Sequence, residues 1–113
     1  MTKSQLKKTY EEEIKRIVDV LRAYNPKRII LFGSLARGDF DEDSDIDLLI
    51  IKEDRRKRTE RICEVYRLIR SPKRTIGVEP LVLTPQEIEK AVSEGSFFLE
   101  DALKEGKVLY EKS

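Results

Sequence analysis

The segment Asp45-Ile46-Asp47-Leu48-Leu49-Ile50-Ile51 restricts the fold of this chain more than any other. After Asp47 it is apolar at consecutive positions, not at alternate ones. A strand of that composition must be covered on both faces, so it belongs inside a sheet flanked by helices. The residues leading into it are the opposite in character. Asp39, Asp41, Glu42, Asp43, Asp45 and Asp47 are six carboxylates in close succession. Like charges crowded onto the lip of a buried strand cost free energy unless a cation joins them. Asp45 and Asp47 are two apart, so on a strand they share a face, roughly 7 Å apart at Cα.

The chain has no His and one Cys, Cys63. That excludes imidazole metal sites, Ser–His and Cys–His catalysis, a cysteine zinc cluster and an internal disulfide. A metal here has to be a hard ion with oxygen ligands: Mg²⁺, Mn²⁺ or Ca²⁺. Lys and Arg number 23 against 22 Asp and Glu, a net charge of +1, so overall charge does not indicate direct nucleic-acid binding. The 113 residues suit one domain, 1–113, with a modest core. No apolar run reaches membrane length and the first residues lack a signal core, which predicts a cytoplasmic protein without membrane contact. Scarce Asn, Gln and Met beside abundant Lys, Arg and Glu resemble a thermophile composition.

Periodicity predicts an amphipathic helix over 4–24, carried by Leu6, Tyr10, Ile14, Ile17, Val18 and Leu21 and stopped by Asn25-Pro26. Strands are expected at 27–33, 45–52 and 76–84. Between the first two, Ser34-Leu35-Ala36-Arg37 starts like a helix and Gly38 closes it. Residues 54–70 read as a helix with Ile62, Val65, Tyr66 and Ile69 inward. Its basic run, Arg55, Arg56, Lys57, Arg58 and Arg61, is interleaved with Glu53, Asp54, Glu60 and Glu64, as on a solvated face. Cys63 reads as a small core or half-buried residue. Thr84, Pro85 and Glu87 open a helix as a capping box, and Gly95 ends it. Ser96 caps another, closed by Gly106, in which Phe97 and Phe98 read as core with one ring free for an interface. Residues 107–111 are expected as an edge strand. Strands alternating with helices make the fold class α/β or α+β, a small mixed sheet flanked by helices.

Three cation sites compete for the acidic stretch. An EF-hand loop counted from Asp39 would need Gly at Ser44 and a bidentate Glu at Ile50, so it is rejected. A P-loop from Gly33 to Gly38 would need Lys and Ser or Thr next, where Asp39 and Phe40 stand. The third arrangement keeps both halves. Gly33 and Ser34 lie between a strand and a helix start, where backbone N–H groups favour phosphate, with Arg37 adding charge. Asp45 and Asp47 face them as a carboxylate pair of the kind that grips metal ions about 3.5–4 Å apart in phosphoryl transfer.

The pattern Gly33-Ser34-x-Ala36-Arg37-Gly38, then Ser44-Asp45-x-Asp47-Leu48, resembles the nucleotidyltransferases of the DNA polymerase beta superfamily. The length is similar to that of the minimal, stand-alone members. The resemblance implies a polymerase-beta-like nucleotidyltransferase fold. It implies an enzyme that moves NMP from an NTP, ATP first among them, to a hydroxyl. It implies a Gly33–Ser34 turn on the triphosphate, and Asp45 and Asp47 binding two Mg²⁺, with Mn²⁺ as the substitute. A third acid on a neighbouring strand would bind the catalytic metal. Glu79, the acid of the third strand, is the choice for it, and Pro80 beside it suits an edge strand or bulge. Many members have Asp there. The minimal members resemble the antitoxin half of a two-component pair, so the partner implied is a HEPN-domain protein and the acceptor a tyrosine on it. A binding-only antitoxin and a homodimeric transferase acting on a small molecule stay open as alternatives.

Overall fold

The structure is a computed structural model that describes residues 1–73 and 76–113. Helix α1, Lys3–Leu21, opens on a reciprocal capping box between Thr2 and Gln5 and buries Tyr10, Ile17, Val18 and Leu21. A 3₁₀ turn, Arg22–Tyr24, follows, and Asn25 in the left-handed conformation turns the chain into β1, Arg28–Phe32. The short α2, Ser34–Arg37, ends at Gly38, whose φ of 93° is the left-handed cap a glycine adopts without penalty. Then come β2, Ile46–Ile51; α3, Arg58–Ile69; β3, Val78–Leu83; α4, Pro85–Ser93; α5, Phe97–Glu105; and β4, Lys107–Glu111.

The sheet order is β3-β2-β1-β4. β2 is therefore interior, as its unbroken apolar run requires. β1 pairs antiparallel with both β2 and β4, and β2 pairs parallel with β3, the crossover that α3 makes possible. Pro80 sits on β3, an edge strand, where a missing N–H is tolerated. Helices cover both faces. One core joins α1 and α3 to Ile29, Leu31, Ile46, Leu48, Ile50, Val78 and Val82; the other sets Ile30, Leu49, Ile51 and Leu83 against Ile88 and Leu99 of α4 and α5. Burying a side chain such as Ile17 or Leu21 contributes about 2 kcal/mol.

Four sequence expectations need correction. Helix α3 begins at Arg58, not 54, because the Asp54 carboxylate accepts the Arg56 backbone N–H at 3.0 Å and the Tyr24 hydroxyl at 3.0 Å, holding a turn that a helix would break. Arg61 is not solvated: it is 3% exposed, and its guanidinium forks onto Glu87 at 2.7 and 3.0 Å. Cys63 is exposed, and so is Tyr66 in part, since one helix face cannot turn every apolar residue inward. Phe97 and Phe98 are 79% and 57% exposed, with Leu99 alone of that trio in the core.

Candidate active site

The site grows out of strand alternation. Asp47 shares its face of β2 with Leu49 and Ile51, and Glu79 shares its face of β3 with Leu81 and Leu83, the face that α4 and α5 cover. The register pairs Asp47 directly with Glu79 on one side and with Phe32 on the other. Because β1 runs antiparallel to β2, its last residue and the turn after it reach the same end of the sheet as the first residues of β2 and β3. Asp45 precedes β2 by one residue, has the same parity as Asp47, and is exposed. Spacing put Asp45 and Asp47 on one face and the family resemblance pointed to Glu79; the structure sets Asp47 and Glu79 side by side on adjacent strands, with Asp45 just ahead of β2.

Gly33 is needed at this end for two reasons. Its φ is 77°, where side chains are strained, and a Cβ there would run into the Asp47 carboxylate, meeting Oδ2 first, with Cγ at 3.2 Å. The phosphate-turn candidate and the carboxylate are thus in direct apposition. Ser34 opens α2, whose first N–H groups have no intrahelical acceptors. Its hydroxyl donates to Ser44 Oγ at 3.2 Å, and Ser44 Oγ also accepts the Asp41 N–H at 3.0 Å. The Tyr10 hydroxyl, from α1, donates to the carbonyls of Asp41 and Ser44. Ser44 therefore ties the acidic loop to the turn, and Tyr10 ties it to α1. Periodicity showed Tyr10 only as core, because a ring's apolar body gives the pattern and its hydroxyl leaves none.

Arg37 pairs with Asp39 at 3.4 Å, both side chains more than half exposed, and its charge also reaches Asp47. The Asp47 carboxyl is pushed above the usual carboxylate range, first by partial burial and then by the negative charges of Glu79 and Asp45; Arg37 opposes the shift. Mutual repulsion of three acids is the electrostatic condition that a divalent cation relieves. The donors are all oxygen, the set that hard divalent ions take. Among the described residues no three such side chains are gathered tightly enough to hold an ion as they stand.

A cleft of about 590 Å³ opens beside Asp47 and Glu79. Its far wall is α5, which presents Phe98, Asp101, Ala102 and Glu105 at helical spacing. Phe98 meets Phe32 edge-on, ring centroids 5.4 Å apart. Sequence periodicity placed Phe98 in the core and passed over Asp101 and Glu105.

The model of the nucleotidyltransferase domain family matches residues 11–109. The chain belongs to that family. A protein of Methanocaldococcus jannaschii is 34% identical to this nucleotidyltransferase over 103 residues, 88% of this chain and 97% of the relative, and bears the provisional name of protein adenylyltransferase. A second protein of that organism, with the same provisional name, is 48% identical over 40 residues, 35% of this chain and 40% of its own. Among solved structures, a provisionally named nucleotidyltransferase of Sulfolobus solfataricus superposes with a TM-score of 0.67 at 24% identity, covering 96% of this chain and 86% of that one. A toxin–antitoxin structure with AMP-PNP superposes at 0.55 and 23% identity, over 88% of this chain and 73% of that one. At these identities the two structures establish the fold, which is that of the nucleotidyltransferases. Among the described residues no helix of the enzyme is long and apolar enough to cross a membrane.

Proposed function

We propose that this nucleotidyltransferase transfers AMP from ATP, with Mg²⁺, to a tyrosine hydroxyl of a partner protein of the helical HEPN type, as the antitoxin half of a pair. The observation that carries the chemistry is the register of Asp47 with Glu79, two residues from Asp45, against the Gly33 turn. The name of the M. jannaschii relative, matched over nearly its whole length, supports a protein acceptor and an adenylyl group. The partnership draws on the shared fold of the toxin–antitoxin structure.

In this scheme Asp45, Asp47 and Glu79 would hold Mg²⁺, which when bound neutralises phosphate charge and lowers the pKa of the acceptor hydroxyl. The Gly33–Ser34 turn binds the triphosphate with backbone N–H groups and the Ser34 hydroxyl, and Arg37 adds positive charge to it. The acceptor oxygen bonds to the α-phosphorus as the bond to the pyrophosphate oxygen breaks. Glu79, exposed in the cleft, draws off the hydroxyl proton. Ser34 is not a nucleophile, since the chain has no His to deprotonate it. The acceptor enters along α5, where Phe98 offers a ring edge to an aromatic acceptor.

Glu79→Gln tests the assignment. It keeps size and one acceptor oxygen, so ATP affinity should stay near that of the wild type, while pyrophosphate release with an acceptor slows at least about a hundredfold, or 2.7 kcal/mol in the barrier. Equal release rates for the two proteins would remove Glu79 from the chemistry.

A further inference from the structure

Gly77 belongs to neither nucleotidyltransferase motif. Its carbonyl accepts the Ile46 N–H at 2.9 Å, so its peptide is joined to β2 one residue ahead of β3. A Cβ built on Gly77 would meet one side chain above all. Its three nearest heavy atoms all belong to Asp45: Oδ1 within contact distance, Cγ at 3.0 Å and Oδ2 at 3.7 Å. The backbone makes no such demand. Gly33, Gly38 and Gly95 have positive φ and Gly77 does not, so alanine suits its conformation. Glycine is needed at 77 for space alone, and the space is filled by a carboxylate.

We propose that Gly77 is a positioning residue whose missing side chain seats the Asp45 carboxylate at the site. The consequence rests on the proposed role of Asp45 in holding Mg²⁺. Asp45 is exposed and its carboxylate is the free end of a short side chain. A methyl group at 77 therefore displaces that carboxylate into solvent rather than disturbing the core. Together with Gly33, which stands against Asp47, each of the two motif carboxylates rests on a glycine from a different part of the chain.

The test is Gly77→Ala, followed three ways. Melting in EDTA should be unchanged or slightly higher, because alanine restricts the unfolded chain. The Mg²⁺ concentration giving half the thermal stabilisation by a non-hydrolysable ATP analogue should rise about tenfold, the scale of losses from outer-shell partners of metal ligands. Asp45→Asn should show a loss of similar size, and the double variant little beyond it. A crystal structure of the metal-free variant should show the Asp45 carboxylate moved and the backbone in place. Wild-type Mg²⁺ dependence, a lower melting point in EDTA, fully additive losses or an unmoved Asp45 would each overturn the proposal. Should the wild type itself bind no Mg²⁺–nucleotide, the proposed function fails, and the metal-free crystal structure still decides the role of Gly77.

Discussion

Replacing Asp47 by Asn should make the metal-free protein more stable. Asp47 and Glu79 are register partners on adjacent strands, which lie about 4.8 Å apart. Two carboxylates about 6 Å apart repel by roughly 3 kcal/mol at an effective permittivity near 20. Asp47 is half-buried and Glu79 exposed, so water screens much of this, and about 1 kcal/mol remains. For a chain of this size that is a rise in Tm of about 4 °C. The pH dependence has a definite sign. The folded protein raises the Asp47 pKa, so it favours the protonated group. That preference stabilises the fold below the ordinary carboxylate pKa and is lost as pH rises through the raised one. The advantage of Asn should therefore be greatest at neutral pH and shrink on acidification. Thermal melts of both proteins in EDTA at several pH values measure it. A lower Tm for Asp47→Asn at pH 7, or an advantage that widens in acid, would refute the repulsion argument.

Ser34→Ala should weaken ATP binding by about 1–2 kcal/mol, one hydrogen bond to a charged group, as titration calorimetry would show, and a covalent adduct on Ser34 in mass spectra would contradict its binding role. Glu87→Ala leaves the buried Arg61 guanidinium without its partner and should cost about 3–4 kcal/mol in urea unfolding. The Glu87 carboxyl is held well below its ordinary range, chiefly by Arg61, so its stabilisation is present above that range and fades as pH falls through the lowered pKa. The variant should accordingly lose less stability in acid than the wild type does. Phe98→Ala should reduce transfer to a protein acceptor severalfold and leave ATP affinity unchanged; an equal loss in both would place the ring against the nucleotide instead.

Much of this architecture was legible because local chemistry and global fold agree. The Thr84–Glu87 capping box, the close of α2 at Gly38 and the two-faced β2 are each written in a few adjacent residues, and all three appear as expected. Parity put Asp45 and Asp47 on one face, and the family resemblance pointed to an acid of the third strand, Glu79, which is the register partner of Asp47. What escaped depends on partners distant in sequence. Arg61 looked like one charge in a basic run, and only the approach of α4 makes it a buried partner of Glu87. Asp54 looked like helix, until Tyr24, thirty residues away, takes its carboxylate. Phe98 looked like core, because an exposed ring beside a cleft has the same letter and spacing as a buried one. Gly77 gave no signal, since no motif reveals which atom lies above a glycine.

The proposed reaction transfers the α-phosphoryl nucleotide unit under the control of three carboxylates. Parallel incubations with ATP labelled at the α- or the γ-phosphate, Mg²⁺ and the soluble proteins of the native host test it most directly. Label from the α position should appear on a protein band, vanish in EDTA, and be lost with Asp47→Asn and Glu79→Gln. Label from the γ position, or α-label that persists in EDTA or in those variants, would contradict the account.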